Sequence, residues 1–390
     1  MTRRRVLGII AGLGLTLAAA AAAIHWRTPE PEPPAMDLGR VLGRGGDSGF
    51  ARADHQRRFR FPHDYGPHPR FRSEWWYFTG NLHTPAGRRF GYELTVFRIA
   101  LAPRAPLRKS DWGTNQVYMA HFAITDAQGR RFHYFQRFAR GAIGLAGARA
   151  APFRVWLGDW SVQAARGAAP PWRLNASTTK VQLQLQLTPE KPVVLQGDHG
   201  LSQKSAAPGN ASYYYSVTRI ASRGRLRLDG HDYAVQGLSW LDREWSTSAL
   251  GPNQVGWDWF ALQLDDGRDL MFYRLRDRNG RTDPHSTGVL VDRRGHSKPL
   301  RVGDVHLQVL DTWTSPRGGT YPSGWRLQVP AERLSLTIRP LLPDQELDVS
   351  VRYWEGAVQV RGKRDGHAIA GAGYVELTGY AGSQRQASTR

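Results

Sequence analysis

Apolar and polar residues alternate strictly in VQLQLQL, which puts Val181, Leu183, Leu185 and Leu187 on one face and glutamines on the other. A period of two predicts a strand with one face buried. The stretch RFGYELTVF, Arg89 to Phe97, alternates after a Pro-Ala-Gly turn. Val358 and Val360 lead into the turn Gly362 to Gly366, and Tyr374 to Tyr380 reads as the last strand. Helical periodicity is scarce. FRSEWWYFTG, Phe71 to Gly80, breaks the half-buried pattern. As a strand it sends Trp75 and Tyr77 one way and Trp76 and Phe78 the other, so neither face is polar. Such a strand is covered on both sides, by a filled barrel interior on one and by a second domain on the other. Glu74, at its start, either pairs with an arginine or contributes to a pocket.

A faint echo runs through the chain at an offset of 180. Gly87 to Tyr92 matches Gly267 to Phe272, Tyr77 falls on Trp257, and Leu82 falls on Leu262. Hairpins resemble hairpins, but the echo favours two β domains of similar build. The expected class is therefore all-β, with antiparallel barrels spanning 58–230 and 231–390 and a join between about Ser222 and Leu238.

The N-terminus changes the picture. Arg3, Arg4 and Arg5 precede an apolar run from Val6 to Ile24, the layout of a signal peptide. The run is also just long enough to span a bilayer uncleaved. Residues 1–28 are thus expected to be a signal peptide or membrane anchor, and 29–57, with PEPEPP, a linker. The bulk of the chain is then periplasmic or secreted, with anchoring at the inner membrane as the other form. The chain has no cysteine, which excludes disulfides and thiolate chemistry. Its net charge is +20, and only six of its 53 basic residues are lysine. The arginines are scattered, as on a solvated basic surface; attraction to anionic lipid is the second reading. Helix-turn-helix, zinc-finger and RNA-recognition patterns are missing, so nucleic acid is not an expected partner.

Candidate chemistry concentrates in GLSWLDREWSTSALG. Trp240, Asp242 and Glu244 share one face of a strand. An acid beside a tryptophan in an apolar pocket has a raised pKa and can act as a general acid. The plainer reading is that Asp242 or Glu244 pairs with an arginine. The aromatic positions Trp75, Trp76, Tyr77, Trp245, Trp257 and Trp259 supply apolar walls for a ligand site, with Tyr213 and Tyr215 offering hydroxyls and His121 on an apolar strand. His63, Asp64 and His68 sit in a proline-rich turn without standard ligand spacing, so no metal site is expected. The G-x-S-x-G, Rossmann and P-loop patterns are also missing, and no cofactor is expected.

FPHDYGPHPRFRSEWWYFTGNL, GLSWLDREWSTSALGPNQVGWDWFALQLDDG, YWEGAVQV and GYVELTGY together resemble the signatures of the secreted AttH-like proteins, relatives of carotenoid 1,2-hydratase. The resemblance spans most of the exported chain. It implies two tandem lipocalin-like β-barrel domains. In the hydratase branch it implies water addition across an isoprenoid double bond, with Asp242 at the acidic position and Trp240 where a tyrosine is expected. The hydratases place a histidine and a tryptophan on an earlier strand; here Ser212 to Tyr215 holds no histidine. In the AttH-like branch it implies an exported protein associated with an ABC-type export system. The leading expectation is an exported lipocalin-like protein that binds an apolar lipid or isoprenoid-like ligand and serves such a transporter permease. The alternative is a hydratase acting by acid catalysis.

Overall fold

The computed structural model describes residues 48–105, 110–248 and 250–381. The expected signal or anchor segment, 1–28, and most of the expected linker lie outside them.

Alternation writes itself into two antiparallel sheets. The first contains β1 (Ser73–His83), β2 (Arg89–Ala100), β3 (Gln116–Asp126), β4 (Arg131–Arg140), β5 (Ala146–Ala150), β6 (Phe153–Leu157) and β7 (Trp160–Ala164). It continues with β8 (Trp172–Ser177), β9 (Val181–Pro189), β10 (Val194–Leu195), β11 (Leu201–Gln203), β12 (Ala211–Leu228) and β13 (His231–Ser246). The second contains β14 (Gln254–Leu264), β15 (Asp269–Asp277), β16 (Thr287–Val291), β17 (Ser297–Arg301) and β18 (His306–Thr314). It closes with β19 (Thr320–Val329), β20 (Leu334–Pro340), β21 (Glu346–Asp348), β22 (Arg352–Arg364) and β23 (His367–Leu377).

The first sheet runs β4-β3-β2-β1-β13-β12-β9-β8-β7-β6-β5, with β10 and β11 on β12, and nearly closes into a barrel. The second runs β17-β16-β15-β14-β23-β22-β20-β19-β18, with β21 on β22, and forms a half-barrel. Both expected barrels are therefore present, one only half closed. The hairpins matched by the echo, β1-β2 and β14-β15, fall in separate sheets. The join was expected at 230/231. There the chain makes the tight turn between β12 and β13, with Asp229 and Gly230 both at positive φ. The sheet changes instead across residues 247–253, because β13 pairs with both β1 and β12.

Burial follows the pattern strand by strand. β9 alternates buried and exposed, leucines in and glutamines out, so its outer face meets water. β1 is buried on both faces. Trp76 and Phe78 join the interior of the first barrel with Tyr92, Phe122, Trp160 and Trp172. Tyr77 faces the other way, into a seam with Tyr214, Trp240, Trp259, Met271 and Tyr374 that glues the sheets together. The seam is close: a Cβ on Gly91 of β2 would meet the Ala357 methyl of β22 at 2.3 Å, so only glycine lets the sheets approach there. Polar ties cross it too. Asp269 accepts from Lys191 at 2.6 Å and Arg219 at 2.7 Å, and Gln263 donates to the Thr218 and Ser239 carbonyls.

Candidate functional site

Period two puts Trp240, Asp242 and Glu244 on the seam face of β13. β1 lies on one side with Trp75 and Tyr77, and β12 on the other with Tyr214 and Ser216. Across the seam stand Trp257 and Trp259 of β14, Tyr273 and Leu275 of β15, Tyr353 of β22 and Glu376 of β23. The two walls frame a cleft of about 70 Å³, which Phe97 and Lys204 also line.

Asp242 is buried at the cleft wall without a cationic partner among the described residues. Its carboxylate accepts from the Tyr214 hydroxyl, from the Ser216 hydroxyl and from Trp240 Nε1 at 2.7 Å. Burial pushes the carboxyl up to about 7, against the pull of those three donors. Trp259 Nε1 donates to the Tyr214 oxygen at 3.1 Å. When Asp242 is protonated it can donate to that oxygen in turn, which frees the phenol proton to point into the cleft. Glu244, two residues on, is compensated: Lys204 Nζ lies 3.1 Å away and the Ser212 hydroxyl donates to it.

Three further acids meet in the seam, Glu93 from β2 of the first sheet and Glu355 and Glu376 from the second, and none of them stands among the expected site residues. Glu355 and Glu376 stand directly opposite each other on β22 and β23. Like charges so placed repel. Burial first, and then the neighbouring Glu93, raise both well above the usual carboxylate range. Glu93 itself is pushed up to about 7 by burial. Tyr77 donates to Glu355. Tyr353 donates to Glu93 at 3.3 Å and contacts His121 Nδ1 at 2.7 Å. The Gln136 amide donates to His121 Nε2 at 2.9 Å, so the ring proton sits on Nδ1. Burial lowers His121 to about 3, leaving it neutral. The signal was available: each glutamate interrupts an otherwise apolar, aromatic strand, as in YELTV, YWEGAV and YVELT.

Several expected site residues lie elsewhere. Glu74 points into the first barrel with Trp76, not into the cleft, and Arg98 and Arg243 both donate to it. Burial alone would raise it, but the two guanidiniums hold its carboxyl well below the usual range. Trp245 stacks on His68 at 3.7 Å inside that barrel, and Asp64 accepts from His68 and Arg57 nearby. His121 stands behind Tyr353, outside the cleft lining. Tyr213 and Tyr215 also turn inward, donating to the His55 and Asp64 carbonyls. Tyr214 takes the cleft position instead, and the cause is a β-bulge. The register Ile220↔Ser239 would, uninterrupted, bring Tyr215 opposite Glu244; the slip between Val217 and Ile220 brings Tyr214 there.

The raised carboxyls make stability depend on pH. Asp242 and Glu93 bind protons more tightly folded than unfolded, so their contribution is complete below about pH 4 and is lost as pH rises through about 7. Urea midpoints are expected to fall between pH 5 and pH 8, and Asp242→Asn should remove about 2–3 kcal/mol of that dependence. Equal wild-type midpoints at the two pH values would refute the assignment.

A model of the AttH-like family matches residues 52–380. An AttH from Nitrosomonas europaea, known from its crystal structure, is 36% identical, and the match covers 85% of this chain and 100% of that one at a TM-score of 0.74. Kievitone hydratase from Nectria haematococca is 15% identical over 89% of this chain and 98% of its own, at a TM-score of 0.62. CghA is 14% identical over the same shares, at 0.50. The last two share the fold. No curated protein sequence matches the chain.

Proposed function

The chain belongs to the AttH-like family, and from that premise we propose that its inter-sheet cleft binds an apolar, isoprenoid-like molecule and adds water across one of its double bonds. The observation that carries this reading is Asp242: a carboxyl at the cleft wall, uncompensated by any cation among the described residues and still protonated near neutral pH. Proton addition to an alkene needs a strong donor away from water's levelling effect. Asp242 supplies the proton, directly or through the Tyr214 hydroxyl. The alkene π pair forms the new C–H bond and leaves a cation on the more substituted carbon. Aromatic faces at Trp75, Phe97 and Trp257 stabilise that cation. Water adds its oxygen there, and its surplus proton returns to the Asp242 carboxylate. Glu376, half-buried across the cleft, holds the water by hydrogen bonding. Kievitone hydratase is, by its name, a hydratase built on the same fold, which lends the reading compatibility.

A second reading rests on the aromatic lining alone. The cleft then carries an apolar ligand unchanged, as an exported protein that passes it to an ABC-type permease. One experiment separates the two. The purified protein is incubated with acyclic isoprenoids and bacterial lipids in heavy-oxygen water, and the organic extract is analysed by mass spectrometry. A product heavier by one labelled water is expected. Unmodified ligand recovered from the protein would sink the hydratase reading in favour of the carrier, and an empty protein would sink both.

A further inference from the structure

One end of the first barrel carries a rim of exposed apolar side chains. β1, β2, β3, β4, β12 and β13 alternate in direction, so Ser73, Ala100, Gln116, Arg140, Ala211 and Ser246 all stand at that end. Leu101 and Trp112 project from the connection after β2, Phe138 from the end of β4, and Ile143 and Leu145 from the turn that follows. They are between 42% and 70% exposed. Ile143 is held at φ 46°, a costly conformation for a β-branched residue, which keeps its side chain in solvent. Arg70, Arg104 and Arg140 are exposed at the same end and have no carboxylate partner among the described residues; of the exposed acids there, Asp111 lies in the connection after β2 and Asp159 pairs with Arg137 beside Phe138.

The rim is continuous with the cleft. Trp75, Phe97, Met119 and Phe138 stand directly opposite one another on β1, β2, β3 and β4. Trp75 and Phe97 line the cleft. Met119 is 2% exposed and Phe138 55%, so this apolar row leads from the cleft wall to the open rim. The described chain also begins here. Gly49 lies against Pro103, and the Ala51 amide donates to the Arg70 carbonyl at 2.9 Å. The apolar run Val6 to Ile24 lies about two dozen residues upstream in sequence.

We propose that this end of the first barrel is a docking face for an anionic lipid bilayer. Separate aliphatic and aromatic tips on neighbouring loops suit the interfacial layer, where Trp sits at headgroup depth. Arginines between them complement lipid phosphates. Docking places the mouth of the apolar row at the bilayer, where an apolar ligand would be found. The inference stands whether or not the cleft performs chemistry.

The absence of native cysteine makes a clean test. An environment-sensitive fluorophore is attached to full-length Ile143→Cys and, as a control at the opposite end, to Asp232→Cys. On vesicles containing phosphatidylglycerol the probe at 143 is expected to brighten and shift to the blue, and the probe at 232 to stay unchanged. Vesicles of phosphatidylcholine alone should give a smaller response. The Leu101→Ser, Trp112→Ser, Phe138→Ser variant, altered only at exposed positions, should lower partitioning roughly tenfold or more. A probe at 143 that remains in water while the protein sediments with vesicles would mean that the N-terminal run alone holds it, and would overturn the proposal. So would a triple variant that partitions like wild type, or a probe at 143 that shifts without vesicles as the protein self-associates.

Discussion

Asp242→Asn is expected to keep its ligand and lose about three orders of magnitude in the rate of water addition, the scale set by removing a positioned general acid. Asparagine is nearly isosteric. It can still accept from Trp240 and Ser216, so the cleft wall should keep its shape. It cannot release a proton to a carbon. Ligand affinity, read from tryptophan fluorescence, should therefore change little while turnover falls. Wild-type activity should also decline as pH rises through about 7, where Asp242 ionises, because the acid form is the active one. Glu244→Gln should move that decline to lower pH, since the Glu244 charge helps to raise Asp242 and its loss leaves Lys204 unpaired. An Asp242→Asn enzyme with near wild-type turnover would remove the acid from the mechanism.

Glu74→Ala should produce the largest loss of stability. It leaves Arg98 and Arg243, 1% and 0% exposed, without the carboxylate both donate to. Stranding buried charge costs about 3–5 kcal/mol when one partner of a pair is removed, and here two cations lose one anion. The same carboxylate accepts from the His68 amide at 3.0 Å, and Arg98 also donates to the Phe71 carbonyl at 2.7 Å. The segment leading into β1 should therefore loosen with it. The contribution is present above about pH 4.5 and lost as pH falls through the depressed native value, because the folded state holds this proton more weakly. Urea unfolding at pH 7 measures it, and a change below about 1 kcal/mol would show that the arginines find other partners. Glu74 faces away from the cleft, so the folded fraction should bind ligand normally.

The two variants separate what FRSEWWYFTG and SWLDREW do. Both stretches put an acid beside tryptophans, and in sequence they look equivalent. Glu74 meets two guanidiniums delivered by β2 and β13 and becomes an anchor. Asp242 meets hydroxyls and an indole, and burial raises it to about 7. The difference lies entirely in which strands arrive alongside.

Local pattern determined a good deal by itself. Alternation at Val181 to Leu187 is a strand in any fold that buries one face. The aromatics on both faces of Trp75 to Phe78 require a neighbour on each side, and the barrel interior and the seam supply them. The shared face of Trp240, Asp242 and Glu244 follows from period two alone. Only the tertiary structure decided that the cleft lies between the sheets, that Tyr214 and not Tyr213 or Tyr215 faces it, that Lys204 compensates Glu244 and nothing compensates Asp242, and that Glu355 stands against Glu376. The physical reason is range. Side-chain direction along a strand is set by the residues next to it, whereas what stands opposite is set by register between distant strands. One bulged residue near Thr218 reverses every face before it without leaving a mark in the hydrophobic pattern.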